Sequence, residues 1–125
     1  GRFRDTSLSD RVFKFVIEVL KLVEMLPRNR RNAIVGDQLI SSATSTGANL
    51  EEADGAISRK EFIKFVNTSK REMKESNYWL RILDVFEIKL RDVIKPLIKE
   101  SIELTSIFFS IVKSSSESES KGSKN

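Results

Sequence analysis

Histidine and cysteine are both absent from the 125 residues of this chain. The commonest general base, the usual nitrogen ligand of metal ions and the thiolate nucleophile are therefore missing. Disulfide bonds and thiolate metal sites are excluded for the same reason. A di-iron helix bundle, which needs Glu-x-x-His pairs, cannot be built either. We expect a protein that is not an enzyme and has no catalytic residue, no metal site and no cofactor.

Glycine and long apolar runs are also scarce. The five glycines are scattered singly, so no phosphate-binding loop of Walker or Rossmann spacing is present. No apolar run is long enough to cross a membrane or to resemble a signal sequence. We therefore expect a cytoplasmic protein that has neither a membrane partner nor a small-molecule substrate.

Composition predicts one domain with a modest basic excess. Hydrophobic residues make up 39% of the chain, enough for a domain of this length to bury a core without metal ions or disulfides. There are 22 Lys and Arg against 18 Asp and Glu, which gives a net charge of +4. This excess is compatible with an RNA or DNA partner but is smaller than that of a dedicated basic arm.

Apolar residues recur with the period of a helix, and no segment alternates with period two for long enough to predict a strand. Ser9 is a plausible N-cap for the first helix, Pro27 stops that helix, and Ser58 with Glu61 forms the capping-box pattern that starts the third. The predicted helices are helix one at about Asp10–Leu26, helix two at about Asn29–Ala53, helix three from Ser58 to about Leu83 or Val85, and helix four at about Asp92–Lys113.

Four helices joined by short connections bury one another best side by side. The predicted fold is all-α, an antiparallel up-down four-helix bundle over residues 1–113. Residues 114–125 contain no apolar side chain to offset the entropy of ordering, so they are predicted to form a disordered polar tail.

Helices one and four carry more apolar residues than a bundle helix that faces water on its outer side needs. Only a narrow stripe of each is polar: Arg11, Lys14, Glu18, Lys21 and Glu24 in helix one, and Lys95, Lys99, Glu103, Ser106 and Ser110 in helix four. The excess of apolar residues is compatible with a well-packed core and a few exposed aliphatic side chains. It also fits a surface for self-association, since a large exposed patch otherwise invites aggregation. We predict a closed homo-oligomer.

Helix two contains a run of Ser, Thr, Ala and Gly at 41–48 that is poor in intrinsic helix propensity. Gly36, Ala43 and Gly47 are spaced by seven and four, so they share a side along which another backbone can approach closely. Hydroxyls in such a run can contact phosphate. A small-residue packing surface is the interpretation we favour.

Helix three has one long polar side. Its members recur at spacings of four and three: Lys60, Lys64, Asn67, Arg71, Lys74, Tyr78 and Arg81. Cations in a row suit a phosphate backbone, and a tyrosine among them can stack on an unpaired base. Arg30 and Arg31, in a second basic cluster before helix two, are predicted to assist. The competing interpretation is an ordinary solvated helix face whose positive potential is weakened by nearby glutamates.

Three segments carry a resemblance to a known family. Ser-Thr-Gly-Ala-Asn-Leu-Glu-Glu-Ala at 45–53 is similar to the family pattern Ser-Val-Gly-Ala-Asn-Tyr-x-Glu-Ala, and it is followed by Ser-Arg-Lys-Glu-Phe-Ile at 58–63 and Tyr-Trp-Leu-Arg-Ile-Leu at 78–83. The chain resembles the four-helix bundle proteins related to those encoded by intervening sequences in 23S ribosomal RNA genes (S23-like proteins). A more distant resemblance is to the accessory variability protein of diversity-generating retroelements.

The resemblance implies a closed homopentamer, and through the retroelement relative a basic accessory protein that binds nucleic acid and a reverse transcriptase. Its structural motif maps to Gly47, Asn49, Glu52, Ser58 and Glu61. The polar pair Asn49 and Glu52 is expected to be buried and to hydrogen-bond mutually, to the following loop or to helix three. The predicted function is an RNA-binding or ribonucleoprotein-binding accessory protein, and the alternative is a protein-interaction scaffold without nucleic-acid binding.

Overall fold

The computed structural model describes the backbone of residues 6–123 and the side chains of residues 8–118. This part of the chain consists of four α-helices and one 3-10 turn: α1 (Thr6–Met25), α2 (Arg30–Asp54), α3 (Arg59–Phe86), the turn Ile88–Leu90 and α4 (Arg91–Ser123). Each helix contacts the next, and α1 also contacts α4, so α1 lies diagonally across from α3. The predicted all-α four-helix bundle is confirmed.

The ends of α2 and α3 form where the capping residues predict. Asn29 caps α2, its Oδ1 accepting from the backbone N–H of Asn32 at 2.8 Å. Ser58 caps α3, its Oγ accepting from the backbone N–H of Glu61 at 3.1 Å. The return bond of the capping box is displaced by one residue, because Glu61 Oε1 accepts from Ile57 N–H at 3.3 Å instead of from Ser58.

The structure differs from the predicted boundaries at both ends of the chain. Helix α1 begins at Thr6, so Ser9 lies inside the helix and does not cap it. Helix α4 continues to Ser123, through most of the segment predicted as a disordered tail. An established helix extends at little cost per residue, and the segment contains no strong breaker before Gly122. The helix therefore passes the predicted boundary at residue 113.

The core follows a seven-residue repeat on three helices, the packing geometry of left-handed bundles. Its buried positions are Leu8, Val12, Phe15, Val19, Leu22 and Leu26 in α1, Val66, Ser69, Met73, Ser76, Leu80 and Leu83 in α3, and Ile94, Leu97, Ser101, Leu104 and Phe108 in α4. We call the α3 series the α3 seam. Spacings of four and three keep each series on one side of its helix, and this side faces the bundle axis.

Helix α2 uses small residues against α1. A Cβ atom on Gly36 would lie 3.2 Å from Cγ1 of Val23, and one on Gly47 would lie 3.6 Å from Cγ2 of Val16. Ala43, between them on the same side, is fully buried. The predicted small-residue packing surface is therefore present, and it brings the α1 and α2 backbones close together.

A second row of small residues on α2 meets the α3 seam. The hydroxyls of Ser42 and Ser76 share a hydrogen bond of 2.8 Å, and Ser69 donates to the backbone carbonyl of Thr46 at 2.9 Å. All four residues are buried. Each hydroxyl thus has a partner, which removes the cost of burying it.

Enlarging a buried small residue of the α3 seam should destabilise the fold. Ser76→Leu should lower the free energy of unfolding by about 1–3 kcal/mol, because the extra methylenes must fit into a well-packed space. Urea denaturation followed by circular dichroism measures it. The exposed Ser41→Leu serves as the matched control. An equal unfolding midpoint in both variants would contradict close packing at Ser76.

Candidate nucleic-acid interface

The polar side of α3 points directly away from the bundle core. From Lys64 onward, each of its positions lies two residues before a residue of the α3 seam, and two residues turn the helix by about 200°. Asn67 is half-buried and the other members are exposed: Lys60, Lys64, Arg71, Lys74, Tyr78 and Arg81. We call these seven residues the α3 stripe. From first to last it extends about 30 Å along the helix.

Most cations of the α3 stripe carry an unneutralised charge. Among the ion pairs of the described residues, none involves Lys60, Lys64, Arg71 or Lys74. At the far end, Arg81 donates to Oδ1 of Asn77 at 2.8 Å and its guanidinium lies 5.7 Å from the ring centre of Tyr78. The stripe therefore presents positive charge together with one half-exposed aromatic ring.

The glutamates of α3 lie beside the stripe and have partners of their own. Glu75 accepts from the indole N–H of Trp79 at 3.1 Å, and Glu61 takes part in the helix cap. Partial burial, reinforced by the nearby charge of Glu75, raises the pKa of the Glu72 carboxyl, although Arg71 and a hydrogen bond from Ser45 of α2 oppose the rise. Glu72 therefore lies on the flank of α3 that faces α2, beside the α3 stripe and not within it.

The second predicted basic cluster has a different place in the fold. Nη2 of Arg31 lies 2.8 Å from Oε2 of Glu87, and the guanidinium sits 4.2 Å above the ring of Phe86. Arg31 is thus held against the end of α3, whereas Arg30 is exposed. Both were predicted to assist RNA binding, and this stays a prediction; the carboxylate partner of Arg31 lies too far along the chain to be seen in the local sequence.

The motif that carries the family resemblance lies in α2 and at the start of α3, and the structure corrects one expectation about it. Asn49 is half-buried and donates to the carbonyl and hydroxyl of Ser45, four residues earlier in the same helix, at 2.9 and 3.2 Å. Glu52 is exposed and bonds neither Asn49 nor α3 among the described residues. The predicted buried pair is wrong, because the buried position at this end of α2 belongs to the neighbouring Ala53.

A buried polar network at the other end of α2 was not anticipated. Asn32, only 2% exposed, donates from Nδ2 to the carbonyl of Pro27 at 2.9 Å and to Oε2 of Glu87 at 3.0 Å. Arg31 is a second hydrogen-bond donor to the same carboxylate oxygen. The sequence does contain one signal, since Asn32 occupies an inward position of helix two in register with the buried Val35 and Leu39.

A membrane-spanning helix and a cluster of metal ligands are both absent from the described part of the chain. No helix there is long and apolar enough to cross a membrane. Among the same residues, no group of three or more acidic side chains is arranged to hold a metal ion.

Residues 4–110 match the 23S rRNA-intervening sequence proteins. The chain belongs to this family. Among solved structures, it is similar to a protein of unknown function from the S23 ribosomal protein family of Bacteroides thetaiotaomicron, with 30% identity and a TM-score of 0.77. The alignment covers 85% of this chain and 98% of that protein. No curated protein matches the chain. The predicted family resemblance is confirmed.

Stability of this family member should depend on the charge of Glu72. Because its pKa is raised, the folded chain holds the proton more tightly than the unfolded chain, so its contribution to stability is full at low pH and is lost as pH rises through the folded pKa. Glu72→Gln, which stays neutral, should be more stable than wild type at pH 7, and this advantage should shrink on acidification.

Thermal unfolding of wild type and Glu72→Gln between pH 3 and pH 8 tests this linkage. The exposed Glu51→Gln is a suitable control for general loss of negative charge. A stability difference for Glu72→Gln that does not change with pH would contradict the assigned cause.

Proposed function

We propose that this protein is a non-enzymatic, oligomeric RNA-binding bundle that holds RNA by its phosphates along the α3 stripe. The observation that supports it is the exposed row of Lys60, Lys64, Arg71 and Lys74, which have no ion-pair partner among the described residues. The family description, 23S rRNA-intervening sequence protein, supports an RNA-related role.

Binding of this kind is electrostatic. Each phosphate that a cation neutralises releases counterions, so several cations in a row provide affinity that weakens with added salt. No arrangement of amide and arginine in the stripe can be assigned to a particular base edge, so we expect the contacts to position RNA without specifying its sequence. Tyr78, 49% exposed, is available to stack on an unpaired base.

Self-association is supported by two apolar patches on different sides of the bundle. On α1, Phe13 is 69% exposed and shares a side with Val16, which packs on Gly47 of α2. On α4, Ile102 and Phe109 are 59% and 55% exposed. The ring of Phe109 lies 5.7 Å from Nζ of Lys70 on α3, so the α4 patch borders α3 while the α1 patch borders α2.

Two unlike patches on opposite sides favour a head-to-tail contact over a two-fold one. Such a contact closes into a ring when the rotation between neighbours permits it, and an open arrangement would grow into a filament. A ring repeats the α3 stripe once per subunit. Repetition raises the positive potential that RNA meets above that of one subunit with a net charge of +4.

Charge reversal within the α3 stripe should abolish most RNA binding. The Lys64→Glu, Arg71→Glu double variant should bind structured RNA about tenfold or more weakly than wild type. The slope of log affinity against log salt concentration should also become shallower, by about one for each phosphate that the variant no longer neutralises. Filter binding over a range of salt concentrations measures both effects.

A matched control reverses two exposed lysines on α4, Lys99→Glu and Lys113→Glu, which changes the net charge equally away from the stripe. Equally weakened binding in both double variants would mean that net charge and not the α3 stripe governs binding. Absence of RNA binding by the wild type at low salt would favour the alternative, a protein-interaction scaffold whose basic side meets an acidic protein.

Oligomerisation should depend on both apolar patches. Phe13→Asp and Phe109→Asp should each shift the protein from a closed oligomer to a monomer, since each puts a charge into a heterologous contact. Sedimentation velocity over a range of concentrations measures the state, with Ile57→Asp as control because that loop residue is 91% exposed outside both patches. A monomeric wild type at every concentration would refute the ring.

A further inference from the structure

An apolar hollow opens at the end of the bundle where α1 and α3 finish. It has a volume of about 440 Å³ and is lined by Met25, Pro27, Phe86, Glu87, Ile88, Lys89 and Leu90. We call it the end pocket. Three of its side chains are large, apolar and exposed: Met25 at 50%, Phe86 at 53% and Ile88 at 67%. Single exposed apolar residues are ordinary, but several around one hollow mark an interaction surface.

The one carboxylate in the end pocket is already neutralised. Oε2 of Glu87 accepts from Nη2 of Arg31 at 2.8 Å and from Nδ2 of Asn32 at 3.0 Å, and the residue is only 9% exposed. Arg31 also covers one side of the Phe86 ring at 4.2 Å. The network therefore cancels negative charge within the pocket and holds an aromatic ring in its wall.

The charge that lines the end pocket without an ion pair is positive. It is that of Lys89, whereas Arg28 and Arg30 lie within three residues of the lining in sequence but do not line the pocket. All three are exposed, and none forms an ion pair among the described residues. The exposed carboxylates Glu24 and Asp92 lie about as near in sequence and do not line the pocket either. Lys89 therefore sets the sign of the charge in the pocket wall.

We propose that the end pocket docks an acidic segment of a partner protein that inserts a leucine or phenylalanine side chain. Apolar walls gain most from an aliphatic or aromatic side chain, which RNA lacks, and the positive charge of Lys89 in the wall is complementary to flanking aspartate or glutamate. The docking does not depend on RNA binding along α3, because no residue of the α3 stripe lines the pocket.

Fluorescence polarisation with designed peptides tests the chemistry. The probe is a short fluorescein-labelled peptide that repeats Glu-Leu-Phe-Glu. One comparison peptide has serine in place of every leucine and phenylalanine, and the other has lysine in place of every glutamate. Wild-type protein should bind the first peptide and bind each comparison peptide at least about tenfold more weakly, because both apolar burial and opposite charge are required.

Two variants locate the binding. Ile88→Ser should weaken the probe about tenfold, the equivalent of one buried aliphatic side chain. Arg30→Glu with Lys89→Glu should weaken it by about tenfold as well, as expected for reversing the charge in the pocket wall and a second charge at the same end of the bundle. The matched controls are Ile57→Ser, at the opposite end of the bundle, and Lys99→Glu with Lys113→Glu on α4; both should bind as wild type does.

Each other outcome overturns the proposal. Equal affinity of wild type and Ile88→Ser, or of the glutamate and lysine peptides, would exclude this pocket or this partner chemistry. Displacement of the probe by single-stranded RNA whose binding Ile88→Ser abolishes would make the pocket a nucleic-acid site. Dissociation of an oligomer by Ile88→Ser would make it a contact between copies of this chain. Circular dichroism of the variants, whose substituted side chains are all exposed, verifies that they fold.

Discussion

The pairing of small hydroxyl residues between α2 and α3 is the constraint on which the rest of the structure depends. Ser42 and Ser76 share one buried hydrogen bond, and Ser69 reaches the carbonyl of Thr46 one turn further along α2. A rotation or a one-residue slip of α3 would break both bonds between the helices. Ser42 and Ser76 would keep carbonyl partners within their own helices, but the buried hydroxyl of Ser69 would lose the acceptor on α2, at a cost of about 1–3 kcal/mol. The rotation of α3 is fixed by this bond together with the apolar residues of the α3 seam. Its cations point to solvent because its serines point to α2.

The end of the bundle is fixed by a second network, which is charged instead of neutral. Where the middle of the interface relies on small neutral groups, the end relies on the buried carboxylate of Glu87, which Arg31 and Asn32 satisfy together. Removing one partner of a buried carboxylate lowers the free energy of unfolding by more than the intact pair contributes to it. The network therefore binds the α1–α2 loop to α3. The same network leaves Phe86 against Arg31 at the rim of the end pocket. Stability of the fold and the shape of that surface therefore share their residues.

How much the sequence predicts depends on the range of the interactions. The apolar repeats, Asn29, Ser58 and Pro27 act within a turn or two of the chain, and the helices and the bundle follow from them. The α3 stripe is predictable for the same reason, since helical spacing alone places it opposite the seam. The roles of Arg31 and Glu52 are not predictable in this way. The role of Arg31 depends on a carboxylate 56 residues away, and that of Glu52 depends on how the end of α2 packs against its neighbours.

The net charge of the chain does not show where its charged side chains lie on the surface. The chain has an excess of only four positive charges, which by itself is weak evidence for a nucleic-acid surface. Surface ion pairs stabilise a fold little, but they decide which charges remain to act on a partner. In the described part of the chain, the ion pairs between helices connect three sets of neighbours. Arg11 of α1 pairs with Glu100 and Glu103 of α4, and Arg31 of α2 pairs with Glu87 at the end of α3. Arg91 and Lys95 of α4 pair with Asp84 near the end of α3. Those acidic groups are neutralised within the fold, and four cations of the α3 stripe and Lys89 in the end pocket are among the exposed cations that these pairs leave over. A nearly balanced composition is therefore compatible with the two basic surfaces on which the proposals for RNA and for an acidic apolar segment rest.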